Sequence, residues 1–416
     1  GMKLTDFYMA SPVCSPSRGA MMTGCYPPRI GFGDFDGRWV LFPGQPIGLN
    51  PSELTIARML KQKGYATKIV GKWHCGDQPE FLPTNYGFDS YYGIPYSNDM
   101  GRQVNRNASY PPLPLVRDTE VIQAQPDQAA LTERYTEECV RFIRDNRHQP
   151  FFLYFAHMHV HRPIYTPESF LKRSRNGRYG AAVNAIDWSV GVLRHELRRL
   201  GLEQNTIIIF TSDNGSRVRG EGGSNGPLRG TKGTTWEGGL RVPCIVCWPD
   251  RIPTGRVSSE LTTSMDFLPT FAEIVDYHLD PFPTIDGKSI LPILLEEPNA
   301  CSPHRVFAYY KKNTLEAVRM GDWKLHLRKD NEAIQELYNL REDIGESCDV
   351  AAQHPEIVKK LEAAADEIRA ELGDEALGIR GQGCRPHGRV PEGRTLTTYD
   401  PEHPYIQAEY DLSDAG

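Results

Sequence analysis

The chain has no apolar run approaching the length of a membrane span, and no signal peptide is visible at its N-terminus. That excludes a helical membrane anchor within these residues. Charge of one sign is also lacking: 47 Lys and Arg face 53 Asp and Glu, a net charge of −6, so the chain has no general attraction for nucleic acid. An anionic substrate would have to be met by local Arg and Lys groups. No internal repeat or low-complexity tract is present. A hydrophobic content of 39% with 24% charged residues excludes disorder. Nine cysteines are scattered along the chain, and only Cys244 and Cys247 form a C-x-x-C. No second pair completes a zinc site, and this one lies in the apolar stretch 242–248, where packing is the expected role. At 416 residues the chain exceeds one simple core, and two domains are expected.

What is present centres on residues 11–24, SPVCSPSRGAMMTG. Residues 3–9 read as a strand running into a turn, with Pro12 and Pro16 expected to interrupt regular structure around Cys14. The residues after Arg18 read as the first turns of a helix. A reactive side chain at such a junction lies near free backbone N–H groups and the positive end of a dipole, which suits anion chemistry.

Further along, residues 25–51 are rich in Gly, Pro and aromatics and read as a loop. Residues 54–63 have helical spacing, with Gly64 at the stop position. Residues 66–70 form a short strand, residues 86–117 are turn-rich, and 131–146 is an amphipathic helix. The apolar runs 151–156 and 206–211 read as strands buried on both faces, and 179–200 as a long helix. From about residue 301 the texture changes to short strands followed by a helix over 355–372. Beyond Gly378 the chain is expected to wrap the surface without a core of its own.

This alternation predicts an α/β sandwich with a largely parallel central sheet, plus a small C-terminal antiparallel sheet and helix. The expected division is residues 1–300 and 301–416. Cys14, Lys72, His161 and Asp213 each follow a predicted strand, and reactive groups gather at the carboxyl ends of parallel strands, which is the reason to place them in one site.

The pattern Cys14-x-Pro16-x-Arg18, followed by Thr23-Gly24, resembles the signature of the type I sulfatases, nearest to the arylsulfatase A and N-acetylgalactosamine-6-sulfatase branch. The resemblance implies an alkaline-phosphatase-like fold and oxidation of Cys14 to formylglycine by a formylglycine-generating enzyme. It further implies hydrolysis of a sulfate monoester on a sulfated carbohydrate or aryl sulfate, with calcium bound. Gly71-Lys72-Trp73-His74 resembles the family's G-K-W-H motif. By that resemblance Lys72 holds the formylglycine and sulfate oxygens, and His74 acts as base on the aldehyde hydrate.

His157, His159 and His161 alternate, which could also suggest a transition-metal site. His161-Arg162-Pro163 resembles the family's T-H-x-P element, so His161 is assigned to the sulfate ester and leaving oxygen, and the other two to supporting roles. Thr211 to Gly215 (TSDNG) resembles the calcium-binding element, with Asp213, Asn214 and the modified Cys14 as ligands. Gly230 to Gly239 (GTKGTTWEGG) resembles the element whose Lys232 contacts sulfate; it is no P-loop, because the G-x-x-x-x-G-K-[ST] spacing is not met. Ser97 resembles a substrate-facing serine.

The family's further N-terminal segment, a strand ending in an Asp-Asp pair and then a helix, has no counterpart in these residues, so the catalytic domain is expected to be N-terminally incomplete. Two other readings stay open: a phosphate or phosphonate ester hydrolase of the same superfold, and a catalytically silent binder of sulfated glycan. The resemblance implies a periplasmic, secreted or lysosomal location and the 6-sulfate of a galactose-type sugar as substrate. Asn107-Ala108-Ser109 is a glycosylation acceptor pattern.

Overall fold

The structure, a computed structural model, describes residues 1–103, 109–329 and 332–405. Asn107 and Ala108 of the acceptor pattern lie outside the described residues. Two compact units emerge. One comprises Gly1–Val40, Asn205–Val218 and Ser224–His387; the other Leu41–Gln204, Arg219–Gly223 and Gly388–Gly416. They are called the Cys14 unit and the Lys72 unit below.

The Cys14 unit contains two four-stranded sheets. In the first, Met2–Leu4 lies between Arg256–Ser258, a parallel neighbour, and Cys244–Cys247, an antiparallel one; Ile208–Thr211 pairs with the far side of Cys244–Cys247. Cys244 is fully buried, and burial raises its thiol pKa well above the usual range, as expected of a packing residue. The second is an antiparallel meander of Phe307–Lys311, Thr314–Met320, Trp323–Lys329 and Glu332–Asn339, with the helix Pro355–Leu372 packed on it. Leu361, Ala365 and Leu372 of that helix share a core with Phe307, Tyr309, Val318 and Leu337, and with Tyr8 and Tyr26 from the start of the chain. The C-terminal sheet and helix expected from sequence are therefore present.

The Lys72 unit is built on a five-stranded sheet ordered Glu120–Ala124, Pro114–Arg117, Ser90–Gly93, Ala66–Gly71, Phe151–Ala156. Ala66–Gly71 is parallel to both of its neighbours, and the remaining pairs are antiparallel. Its helices follow from local chemistry. Thr55 caps Ile56–Gln62 by accepting from the Arg58 N–H at 3.1 Å. Leu131–Asp145 buries Leu131, Tyr135, Cys139, Phe142 and Ile143 on one stripe and packs against Gly177–Arg199. Beneath it, the Glu138 carboxylate pairs with Lys68 at 2.9 Å and Arg117 at 2.8 Å. Residues 388–405 run along this unit; Gly388–Arg389 pairs with Ile47–Gly48, and Thr397 Oγ1 donates to the Pro112 carbonyl.

Two strands expected to be buried on both faces are only partly so. Phe151–Ala156 and Ile208–Thr211 each stand at the edge of their sheet among the described residues, with Phe210 41% exposed. An unbroken apolar run signals a sheet interior, but it does not say how many neighbours a strand receives.

Candidate active site

The helix around the cysteine begins earlier than the sequence suggests. It spans Cys14–Thr23, with extended Val13 as its N-cap. Pro16 does not interrupt it, because proline in a first turn lacks only an N–H that would have no partner inside the helix. Cys14 is thus the first helical residue, at the positive end, where backbone N–H groups favour anions. Arg18 lies four residues on and therefore on the same face.

Three motif segments of the Cys14 unit are tied together. Arg18 Nε donates to Asp213 Oδ2 at 2.9 Å, and Ser17 Oγ donates to the Asp213 carbonyl at 2.6 Å. The Cys14 thiol lies 3.5 Å from Asn214 Oδ1. The Lys232 N–H donates to the Ser216 carbonyl, and the Gly233 N–H to Pro12, both at 3.0 Å. Gly215 is where the TSDNG turn meets the end of the Lys232 loop. A Cβ there would fall 1.8 Å from the Gly238 carbonyl oxygen, so only glycine allows the approach. Cys14, Arg18, Asp213, Asn214 and the Lys232 backbone are in this way brought together by hydrogen bonds.

The Lys232 loop ends in a buried polar network. The Glu237 carboxylate, fully buried, accepts from Tyr8, from Tyr309 at 2.9 Å and from Lys324 at 3.0 Å. Burial pushes its pKa up, but Lys324, Arg319 and Arg241 outweigh burial and hold it at about 2. Glu346, also fully buried, accepts from the Glu237 N–H at 2.8 Å, from Lys324 at 2.8 Å and from His326 at 2.7 Å. The sequence motif includes Glu237; nothing in the sequence marks Lys324 or Glu346 as its partners, because they lie about 90 and 110 positions away.

In the Lys72 unit, three assigned residues form a chain. Lys72 follows Gly71, whose φ is +111° and whose Cβ would meet the Ala156 carbonyl at 1.9 Å, so the two strand ends come together. Lys72 Nζ donates to Ser97 Oγ at 2.7 Å, and Ser97 Oγ lies 3.5 Å from His161 Nε2. His161 Nδ1 is 2.7 Å from the Arg162 carbonyl and 2.9 Å from Asn98 Oδ1. Asn98 Nδ2 donates to Gln128 Oε1 and to the Pro163 carbonyl, so its oxygen is the atom facing His161. Two acceptors require Nδ1 to carry the proton, and Nε2 is left as the nitrogen that exchanges one. Asn98, which orients His161, is the neighbour that sequence reasoning passed over; its adjacency to Ser97 was the available signal.

His74 is buried with φ +61°, and its Nε2 lies 2.9 Å from the Leu41 carbonyl. A carbonyl only accepts, so Nε2 carries the proton in the neutral ring and Nδ1 is the basic nitrogen.

His157 and His159 take supporting places. His157 Nε2 lies 3.0 Å from Ser189 Oγ, and Ser189 itself donates to Ile186, so His157 donates. Burial, and secondarily His159, lowers the His157 pKa to about 3; burial lowers that of His159 to about 4. Both are neutral anchors at physiological pH.

No cluster of three or more His, Cys, Asp or Glu side chains that could hold a metal exists among the described residues. Asp213 and Asn214 are oxygen donors of the kind calcium takes, but one carboxylate and one amide fall short of the usual set of about six to eight oxygens. The donor type fits; the number does not complete a site.

Comparison with known proteins agrees with the motifs. A family model described as Sulfatase matches residues 1–277, and one described as N-sulphoglucosamine sulphohydrolase, C-terminal, matches residues 231–371. The chain belongs to the sulfatase family. It is 41% identical over 344 residues to N-acetylgalactosamine-6-sulfatase of Mus musculus, covering 79% of this chain and 65% of that protein. It thus spans somewhat under two thirds of that relative's length. To arylsulfatase A of Homo sapiens it is 36% identical over 409 residues, covering 87% and 79%. The crystal structure of Ps i-CgsB in complex with k-i-k-neocarrahexaose superposes with a TM-score of 0.77 at 28% identity, covering 88% of this chain and 84% of that one. The sulfatase structures carry the alkaline-phosphatase-like fold, and this chain shares it.

Proposed function

We propose that the protein hydrolyses a sulfate monoester on a sulfated sugar or glycan, with Cys14 converted to formylglycine by a formylglycine-generating enzyme. The observation that carries this reading is the joining of Cys14, Arg18, Asp213 and the Lys232 loop at the positive end of the Cys14–Thr23 helix. Hydrated, the aldehyde would supply a geminal diol, one oxygen attacking sulfur and the other, once deprotonated, expelling the sulfate.

The other residues have separate tasks. Arg18, Lys72 and Lys232 bind the sulfate oxygens and spread their charge through fixed donors. His161 gives a proton from Nε2 to the departing alcohol oxygen, while its Nδ1–H stays on the Arg162 carbonyl and Asn98. Ser97 relays the Lys72 charge toward substrate. His74 takes the hydrate proton at Nδ1. Asp213, Asn214 and the Cys14-derived oxygen would contribute part of a calcium shell; when bound, the ion favours the oxyanion form of the nucleophile.

A 6-sulfated galactose-type sugar is the substrate proposed first, because N-acetylgalactosamine-6-sulfatases are among the relatives. A non-cytoplasmic location, periplasmic, secreted or lysosomal, goes with that family. No described helix is long and apolar enough to cross a membrane.

The test is co-expression with a formylglycine-generating enzyme, followed by peptide mass spectrometry and hydrolysis of 4-nitrophenyl sulfate. Conversion of thiol to aldehyde removes about 18 Da from Cys14. Hydrolysis that disappears in Cys14→Ala supports the reading. Conversion without sulfate ester hydrolysis, or a preference for 4-nitrophenyl phosphate, overturns it.

A further inference from the structure

Outside the residues assigned above, the Cys14 unit carries a cleft on its C-terminal sheet. Its walls include Trp236, Lys311, Glu316, His326, Arg328 and Lys329. Three of these are cations. Glu316 is the one carboxylate, and it is engaged: it accepts from Thr235 Oγ1 at 2.7 Å and lies 3.9 Å from Lys311 Nζ. His326 is neutral, because burial, reinforced by Lys324, lowers its pKa. Three cationic side chains and one carboxylate thus line this cleft, in a chain whose net charge is −6. A local reversal of sign of this kind attracts anions at short range.

Aromatic faces accompany the charges. Lys329 Nζ lies 5.5 Å from the Trp236 ring centre, and Lys311 Nζ 5.1 Å from that of Trp39. Trp39 is 40% exposed, an apolar plane presented to solvent. It also borders the Lys232 loop: a Cβ on Gly233 would sit 3.3 Å from the Trp39 ring. Thr234, two residues past Lys232, is itself part of the cleft wall. The cleft therefore begins where the loop assigned to sulfate ends.

We propose that this cleft is a subsite for a second anionic group, a sulfate or a carboxylate, on the sugar flanking the one whose ester is hydrolysed, with Trp39 stacking on a pyranose face. This rests on the sulfatase reading and extends it from a single sugar ester to an anionic glycan chain. Lys311, Arg328 and Lys329 meet the second charge, and the planar guanidinium of Arg328 suits two-oxygen contact.

The probe is a tetrasaccharide alternating uronate and 6-sulfated N-acetylgalactosamine units. Its binding to protein with unconverted Cys14 is followed by calorimetry, with the carboxyl-reduced tetrasaccharide as a second ligand. In Arg328→Ala/Lys329→Ala the dissociation constant should rise roughly tenfold or more, with a shallower salt dependence. Trp39→Ala should weaken binding as well. The converted variant should still turn over 4-nitrophenyl sulfate at the wild-type rate, since that compound has no second charge. Loss of wild-type affinity on carboxyl reduction identifies the carboxylate as the group bound, and retention identifies sulfate; either supports the subsite. Equal tetrasaccharide affinity in variant and wild type, or no binding by either, overturns it. Failure of the sulfatase reading shows separately, as absent 4-nitrophenyl sulfate hydrolysis by converted wild type.

Discussion

Replacing Lys324 with Met removes a cation that bridges two carboxylates with no access to water. Lys324, Glu237 and Glu346 all have fully buried side chains. The ammonium donates to the Thr235 carbonyl at 2.8 Å and contacts Glu237 at 3.0 Å and Glu346 at 2.8 Å. Without it, Glu237 retains Arg241 at 3.5 Å, while Glu346 keeps the neutral His326 and the Glu237 N–H. Methionine fills most of the space, so the loss is electrostatic. Removing one partner of a buried pair costs about 3–5 kcal/mol, because the remaining charge stays desolvated. A loss of about 4 kcal/mol lowers the melting temperature by roughly 8–16 °C for a folded unit of this size.

The pH dependence supplies a second readout for Lys324→Met. In the wild type Glu237 is held near 2, so its contribution is present above about 4.5 and is lost as pH falls from there toward 2. In the variant, burial acts without the nearest cation and the carboxylate pKa values rise. A raised acid binds its proton more readily folded than unfolded, so the variant gains on the wild type as pH falls. Urea denaturation at pH 8 and pH 5 should therefore show a smaller deficit at pH 5. Adding Glu346→Gln should restore part of the loss. A deficit below about 1 kcal/mol at pH 8, or one unchanged between the two pH values, would refute the reasoning.

Three further outcomes are expected. Gly215→Ala drives a Cβ against the Gly238 carbonyl, a backbone atom that cannot rotate away; the melting temperature should fall by the equivalent of about 3 kcal/mol or more, and near-wild-type stability would mean the loop is not tightly held. Ser97→Ala removes the hydroxyl between Lys72 and His161; kcat/KM on 4-nitrophenyl sulfate should drop roughly tenfold to a hundredfold with the melting curve unchanged, and full activity would exclude the relay. For Glu138, burial raises the pKa, but hydrogen bonds from Arg117 and Lys68 lower it to about 2. Its stabilisation is present above about 4.5 and fades as pH falls toward 2, so Glu138→Gln should be destabilised at pH 7 and its deficit should shrink steadily below pH 4.5 toward pH 2 in urea titrations.

Much of the architecture was legible because it is written in local periodicity. The run 151–156 became the strand Phe151–Ala156, the stripe at 131–146 became the helix Leu131–Asp145, and the texture change near 301 became the antiparallel meander. The helix start at Cys14 was not legible. Proline between two serines reads as an interruption until the chain direction places it in a first turn, where its missing N–H has no consequence. Edge status was not legible either, since a strand's composition does not count its neighbours.

By itself the sequence determined the family: the cysteine signature, the Lys72, His161 and Lys232 motifs, and the oxygen donors after the 208–211 strand are all contiguous patterns. Only the tertiary structure decided which ring nitrogen of His161 and His74 carries the proton, because that depends on the Asn98 amide and the Leu41 carbonyl, which come from other segments. It also decided that Glu237 is a buried anion held by Lys324, and that Lys311, Arg328 and Lys329 line one cleft, with Lys311 beside Trp39. Hydrogen bonds and charge pairs act through space over a few ångströms, and residues a hundred positions apart reach that distance only when the chain is folded.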